Sequence, residues 1–96
     1  MSKILLVDDT DFQRTLLKNH LSELNLTIFE ADSGKAALEE LEKNPDIKVM
    51  VTDLIMPGMT GIELVEAIND KIPEKSDRPT IFILTSESNP EIMICL

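Results

Sequence analysis

Val49-Met50-Val51-Thr52-Asp53-Leu54-Ile55-Met56-Pro57-Gly58-Met59-Thr60-Gly61 is the stretch on which the fold turns. Residues 49–52 form a short apolar, β-branched run of strand length. Asp53 ends it, and Pro57-Gly58 marks a tight turn, because proline presets one turn angle and glycine accepts a positive φ. Thr60 with Glu63 three residues on makes a capping box, after which Ile62, Val65, Ile68 and Ile72 recur at helical spacing up to Pro73. The stretch therefore reads as strand, acid, tight loop, helix.

The same unit repeats on either side. Apolar runs at residues 4–7, 26–29 and 80–84 are also strand length. They are continuously apolar instead of alternating, as expected of parallel strands covered on both faces. Between the first two, Phe12, Leu16, Leu17, Leu21 and Leu24 predict the buried stripe of a helix over residues 11–24, with Thr10 and Gln13 as its capping box. Ser33 predicts the cap of a second helix carrying Ala37, Leu38 and Leu41 and ending near Asn44 and Pro45. The order βαβαβαβ with right-handed crossovers predicts an α/β fold, an open doubly wound parallel sheet.

The 96 residues predict one domain, and 43% apolar content supplies a core. Nine Lys and Arg against 18 Asp and Glu leave a net charge of −9, which argues against nucleic acid or an anionic membrane as a direct partner. One cysteine, Cys95, forms no internal disulfide, and His20 alone builds no histidine metal site, so a reducing cytoplasm fits. No apolar run approaches the ~20 residues of a membrane span.

Ligands of such sheets bind beyond the carboxyl ends of the strands. Here those ends carry Asp8 and Asp9, Asp53, and Thr85 with Ser86. Any one of these acids could be an ordinary turn residue. Gathered on one rim they would repel one another unless a cation or retained protons intervened. Oxygen-only ligands suit Mg²⁺, which keeps several waters and takes carboxylates together with phosphate oxygens. The rim is thus a candidate phosphate-chemistry site.

Asp8-Asp9 after the first strand, Asp53 and its Met56-Pro57-Gly58-Met59-Thr60-Gly61 loop after the third, and Thr85-Ser86 after the fourth resemble the receiver domain of two-component response regulators. The resemblance covers essentially the whole chain, residues 1–96. It implies a flavodoxin-like receiver fold with strand order 2-1-3-4 and a phosphoaspartate switch fed by a sensor histidine kinase or phosphotransfer protein. Asp53 matches the phosphoacceptor. Asp8 and Asp9 match the acidic pair that holds Mg²⁺, and the carbonyl of Ile55 matches its backbone ligand. Thr85, with Ser86 beside it, matches the hydroxyl that moves onto the phosphoryl group. Ile55 and Glu87 match positions that tune phosphoaspartate lifetime. Met56 and Met59 are expected to pack the loop, Gly58 to turn it, and Gly61 to open a closely packed helix.

One element of the family pattern has no match: a lysine, usually followed by proline, at the end of a fifth strand. After Leu84 the chain reads Thr85-Ser86-Glu87-Ser88-Asn89-Pro90-Glu91, which predicts a helix start at Asn89. The reading is accordingly a receiver incomplete at its C-terminus, with the fifth strand and fifth helix absent and phosphoryl chemistry impaired. It also predicts an open apolar edge at residues 80–84, inviting self-association.

Two other readings compete. A degenerate receiver would keep the fold as a binding module without switching. A haloacid-dehalogenase-type phosphatase is suggested by Asp9-Thr10-Asp11 and Thr85, but the later lysine and acidic motifs of that family have no counterpart. The acidic first loop also lacks the small hydroxyl and glycine residues of a flavin phosphate site.

Overall fold

The computed structural model describes residues 2–84 and, as strand backbone, 92–95. In chain order the elements are β1 (Lys3–Val7), α1 (Asp11–Leu21), β2 (Thr27–Ala31), α2 (Gly34–Lys43), β3 (Val49–Asp53), α3 (Gly61–Lys71), β4 (Thr80–Leu84) and β5 (Ile92–Cys95). One sheet contains all five strands in the order β2-β1-β3-β4-β5, and the first four are parallel. The expected 2-1-3-4 arrangement therefore stands.

Leu5, Val7, Met50, Ile81 and Ile83 project from one face of the sheet into a core with Ala37 and Leu41 of α2 and Leu64 and Ile68 of α3. Strand alternation turns Ile4 and Leu6, both buried, toward the opposite face, where α1 packs on β1. On that face Val49, Val51, Phe82 and Leu84 are only half-buried.

Local signals act unevenly. Ser33 accepts the N–H of Ala36 at 3.1 Å, and Thr60 and Glu63 form the full capping box with bonds of 2.9 and 3.1 Å. Thr10 does not cap α1 with its side chain. The Asp8 carboxylate instead accepts the Thr10 N–H at 2.9 Å, an Asx-type turn that replaces the expected Thr10 and Gln13 box. Helix α1 ends at Leu21, followed by a turn of 3-10 helix over Ser22–Leu24, and Asn25 at φ 52° closes it in the left-handed region.

The stripe expected on α1 is not buried. Phe12 is 68% exposed, and Leu16 and Leu24 are also exposed, because α1 meets the sheet mainly at β1 and no second helix flanks it among the described residues. On α3 the inward residues are Leu64 and Ile68, with Val65 and Ile72 at the margin and Ile62 exposed.

The larger correction concerns the C-terminal segment. Ile92–Cys95 is a strand, not part of a helix, and pairs antiparallel with β4 in the register Ile81↔Cys95 to Leu84↔Ile92. The expectation of an open edge at residues 80–84 is thereby overturned, while the added strand runs antiparallel and leaves the parallel set at four strands. The apolar, β-branched run finds a ready ladder of unpaired backbone groups on β4. The proposed cap at Asn89-Pro90 lies outside the described residues.

Candidate functional site

The carboxyl ends of β1 and β3 lie side by side because these strands pair in register from Ile4↔Val49 to Val7↔Thr52. Asp8 and Asp9 leave the end of β1 as Asp53 completes β3. One carboxylate oxygen from each of Asp8, Asp9 and Asp53 lies within 4.8 Å of the other two. Strand pairing thus brings the ends that carry these three acids together.

Their environments differ. Asp8 is 5% exposed, Asp53 is half-buried and Asp9 is exposed. Burial pushes the Asp8 carboxyl above the ordinary carboxylate range, the Thr10 N–H pulls it partly back, and the Asp53 and Asp9 charges push it up again. Three acids with nothing but oxygen donors and mutual repulsion fit a hard divalent cation such as Mg²⁺.

The floor and the following loop are held tightly. Thr52 is fully buried, and its hydroxyl donates to the Asp53 carbonyl at 3.0 Å. The Leu54 N–H donates to the Leu84 carbonyl at 3.0 Å, and the Gly61 N–H to the Leu54 carbonyl at 2.8 Å. A Cβ at Gly61 would stand 2.6 Å from the Asp53 carbonyl oxygen, so only glycine lets α3 begin this close to β3. Gly58 turns the loop at φ 83°. Met56 is buried, Met59 packs over Gly34 at the start of α2, and Ile55 is 69% exposed. Both methionines pack against the protein.

Thr85, Ser86 and Glu87 lie outside the described residues. Leu84 immediately before them pairs with Asp53.

The sequence reading passed over Arg14. Its guanidinium, in a side chain 11% exposed, donates through Nη1 to the Asp8 carbonyl, through Nη2 to the Asp11 carboxylate and through Nε to Glu30 at 3.0 Å. Lys18 holds the other Glu30 oxygen at 3.0 Å, and Lys18 first and Arg14 second keep the Glu30 carboxyl below its ordinary range. The available signal was a cation in the first turns of a helix, where the macrodipole favours acids.

The family described as the response regulator receiver domain matches residues 4–95. This chain belongs to that family. The receiver is 37% identical over 95 residues to a chemotaxis CheY homologue of Campylobacter jejuni, covering 98% of this chain and 72% of the relative. It is 38% identical to chemotaxis protein CheY1 of Helicobacter pylori, covering 98% and 76%. Among solved structures, Vibrio cholerae CheY4 superposes with a TM-score of 0.78 at 32% identity, covering 94% of this receiver and 72% of that chain. The protein is therefore a receiver domain of two-component signalling.

Proposed function

We propose that the receiver takes a phosphoryl group onto Asp53 from the phosphohistidine of a sensor kinase or phosphotransfer protein, in the cytoplasm. The observation that carries the proposal is the convergence of Asp8, Asp9 and Asp53 within 4.8 Å. A carboxylate oxygen of Asp53 attacks phosphorus, the P–N bond to the donor imidazole breaks, and the imidazole nitrogen keeps the electron pair and takes up a proton. Asp8, Asp9, Asp53 and the Ile55 carbonyl would hold Mg²⁺. When bound, the metal supplies two positive charges against the phosphoryl oxygens, the stabilisation that such transfers chiefly need.

The protein's own residues do the rest. The Leu54, Thr60 and Gly61 N–H groups are engaged within the fold, so backbone donors to the phosphoryl group would come from residues 55, 56, 58 and 59. Thr85 follows the strand end paired with Asp53, and we assign it the switch hydroxyl, with Ser86 as a further phosphate contact. We assign lifetime tuning to Ile55 and Glu87; an apolar Ile55 orders an attacking water poorly and slows self-dephosphorylation.

The lysine that the family places after its fifth strand has no counterpart among the described residues, the antiparallel β5 being Ile92, Met93, Ile94 and Cys95. Lys71 and Lys75 do not replace it. Lys71 lines a cavity of about 550 Å³ between α2 and α3 with Pro45, Lys48 and Pro79, at the opposite end of the sheet. The second reading is a receiver that keeps the fold and binds its partner without switching.

Mass spectrometry after treatment with Mg²⁺ and an acyl phosphate separates the two. The native chain should gain one phosphoryl group, Asp53→Ala none, and Ile55→Asn should lose it faster than native. Uptake persisting in Asp53→Ala overturns the assignment, and no uptake by the native chain selects the second reading.

A further inference from the structure

We infer that Arg14 is a positioning residue for the metal site, bracing the loop between β1 and α1 so that Asp8 and Asp9 face Asp53. The inference rests on the proposed Mg²⁺ site and extends it to a residue that touches neither metal nor phosphate. Three contacts from one planar guanidinium carry it. Nη1 holds the Asp8 carbonyl, Nη2 holds Asp11 at the start of α1, and Nε holds Glu30 near the end of β2 at 3.0 Å.

The Asp8 carbonyl belongs to the peptide joining Asp8 to Asp9. Fixing that plane fixes ψ of Asp8 and φ of Asp9, and so the directions in which the two carboxylates leave the backbone. The Asp8 carboxylate is pinned separately by the Thr10 N–H at 2.9 Å. Glu30 gives the guanidinium a firm base, because β2 pairs with β1 at Leu6↔Glu30 and Lys18 holds the second Glu30 oxygen. Arginine suits this position because its rigid fork serves several acceptors at once, which a lysine ammonium on a flexible stem does not.

Charge alone predicts the opposite effect, and this makes the inference testable. A cation beside three acids competes with a bound dication. Removing Arg14 should tighten Mg²⁺ binding if only its charge matters, and weaken it if its geometry matters. Residues that orient metal ligands from behind typically contribute about 10- to 100-fold in affinity.

Calorimetric Mg²⁺ titration of the native chain, Arg14→Gln and Arg14→Lys is the test, with urea midpoints measured in chelator alongside. The expected result is about a tenfold loss of affinity in both variants. Arg14→Lys keeps the charge and the aliphatic stem, so it carries the comparison if Arg14→Gln does not fold. Native-like or tighter binding in the folded variants overturns the inference and leaves the metal site standing. A native chain that fails to bind Mg²⁺ overturns the metal site, and the inference with it.

Discussion

Asp8 shows what a metal-ready carboxylate costs a chain with no cation bound. Its folded pKa lies above the ordinary value of 3.8, so between those values the folded state holds the proton more tightly than the unfolded chain. Stability from this residue is present below 3.8 and is lost as pH rises through the raised value. Asp8→Asn keeps an oxygen for the Thr10 N–H and removes the buried charge. It should stabilise the chelated protein at neutral pH by about 1 kcal/mol, or about 4–8 °C in Tm for a domain this small. The gain should vanish in strong acid, where both side chains are neutral, and thermal scans across pH read it directly. Mg²⁺ should raise the Tm of the native chain more than that of the variant.

The glycines make a second contrast at the scale of single residues. Gly61→Ala drives a Cβ to 2.6 Å from backbone oxygen, which cannot move without parting β3 from α3. At Gly34 the obstruction is the Met59 sulfur, near the flexible end of a side chain. Gly61→Ala should cost about 1–3 kcal/mol, in the range of overpacked cores, and Gly34→Ala clearly less. Urea denaturation of the pair settles it: equal costs would show that the two contacts are equally rigid.

At the scale of elements, the two helices that begin beside the site start differently. Helix α3 has a reciprocal capping box between Thr60 and Glu63, whereas at α1 the Thr10 hydroxyl makes no cap bond and the Asp8 carboxylate, in place of Gln13, accepts the Thr10 N–H. Thr60→Ala should therefore cost about 1 kcal/mol, and Thr10→Ala little. Both threonines showed the same motif in the sequence, with Glu63 or Gln13 three residues on. What separated them was an acceptor from outside the helix, Asp8, which reaches Thr10 only because the turn after β1 folds back on itself. The acid cluster was legible because strand ends in a parallel sheet converge by topology. Arg14 was not, because its three acceptors belong to the β1–α1 loop, α1 and β2.

At the scale of the whole molecule, the sheet is protected unevenly. One face is closed by α2 and α3, the other is met by α1, and the far edge of β4 is taken by β5. Removing the residues after Leu84 would strip the four paired positions of the β4–β5 ladder and expose Ile81 to Leu84 along a flat edge. That shortened chain should be less stable and should associate with increasing concentration, as sedimentation velocity would record. A shortened chain that remains monomeric would show that β5 does not guard the edge. The net charge of −9 opposes association, so added salt should promote it.

Hydrophobic period and capping chemistry in the sequence alone determined four parallel strands, three helices and an acid at the end of each strand that matters. These are local properties: the apolar runs at residues 4–7, 49–52 and 80–84 needed no distant partner to be recognised as strands. Tertiary structure alone decided the rest. The segment Ile92–Cys95 became a strand because β4 offered it a ladder that no local propensity encodes. The apolar side of α1 stayed partly exposed because burial depends on what lies opposite. Arg14 joined the site because only the folded chain brings the β1–α1 loop, α1 and β2 within reach of one guanidinium.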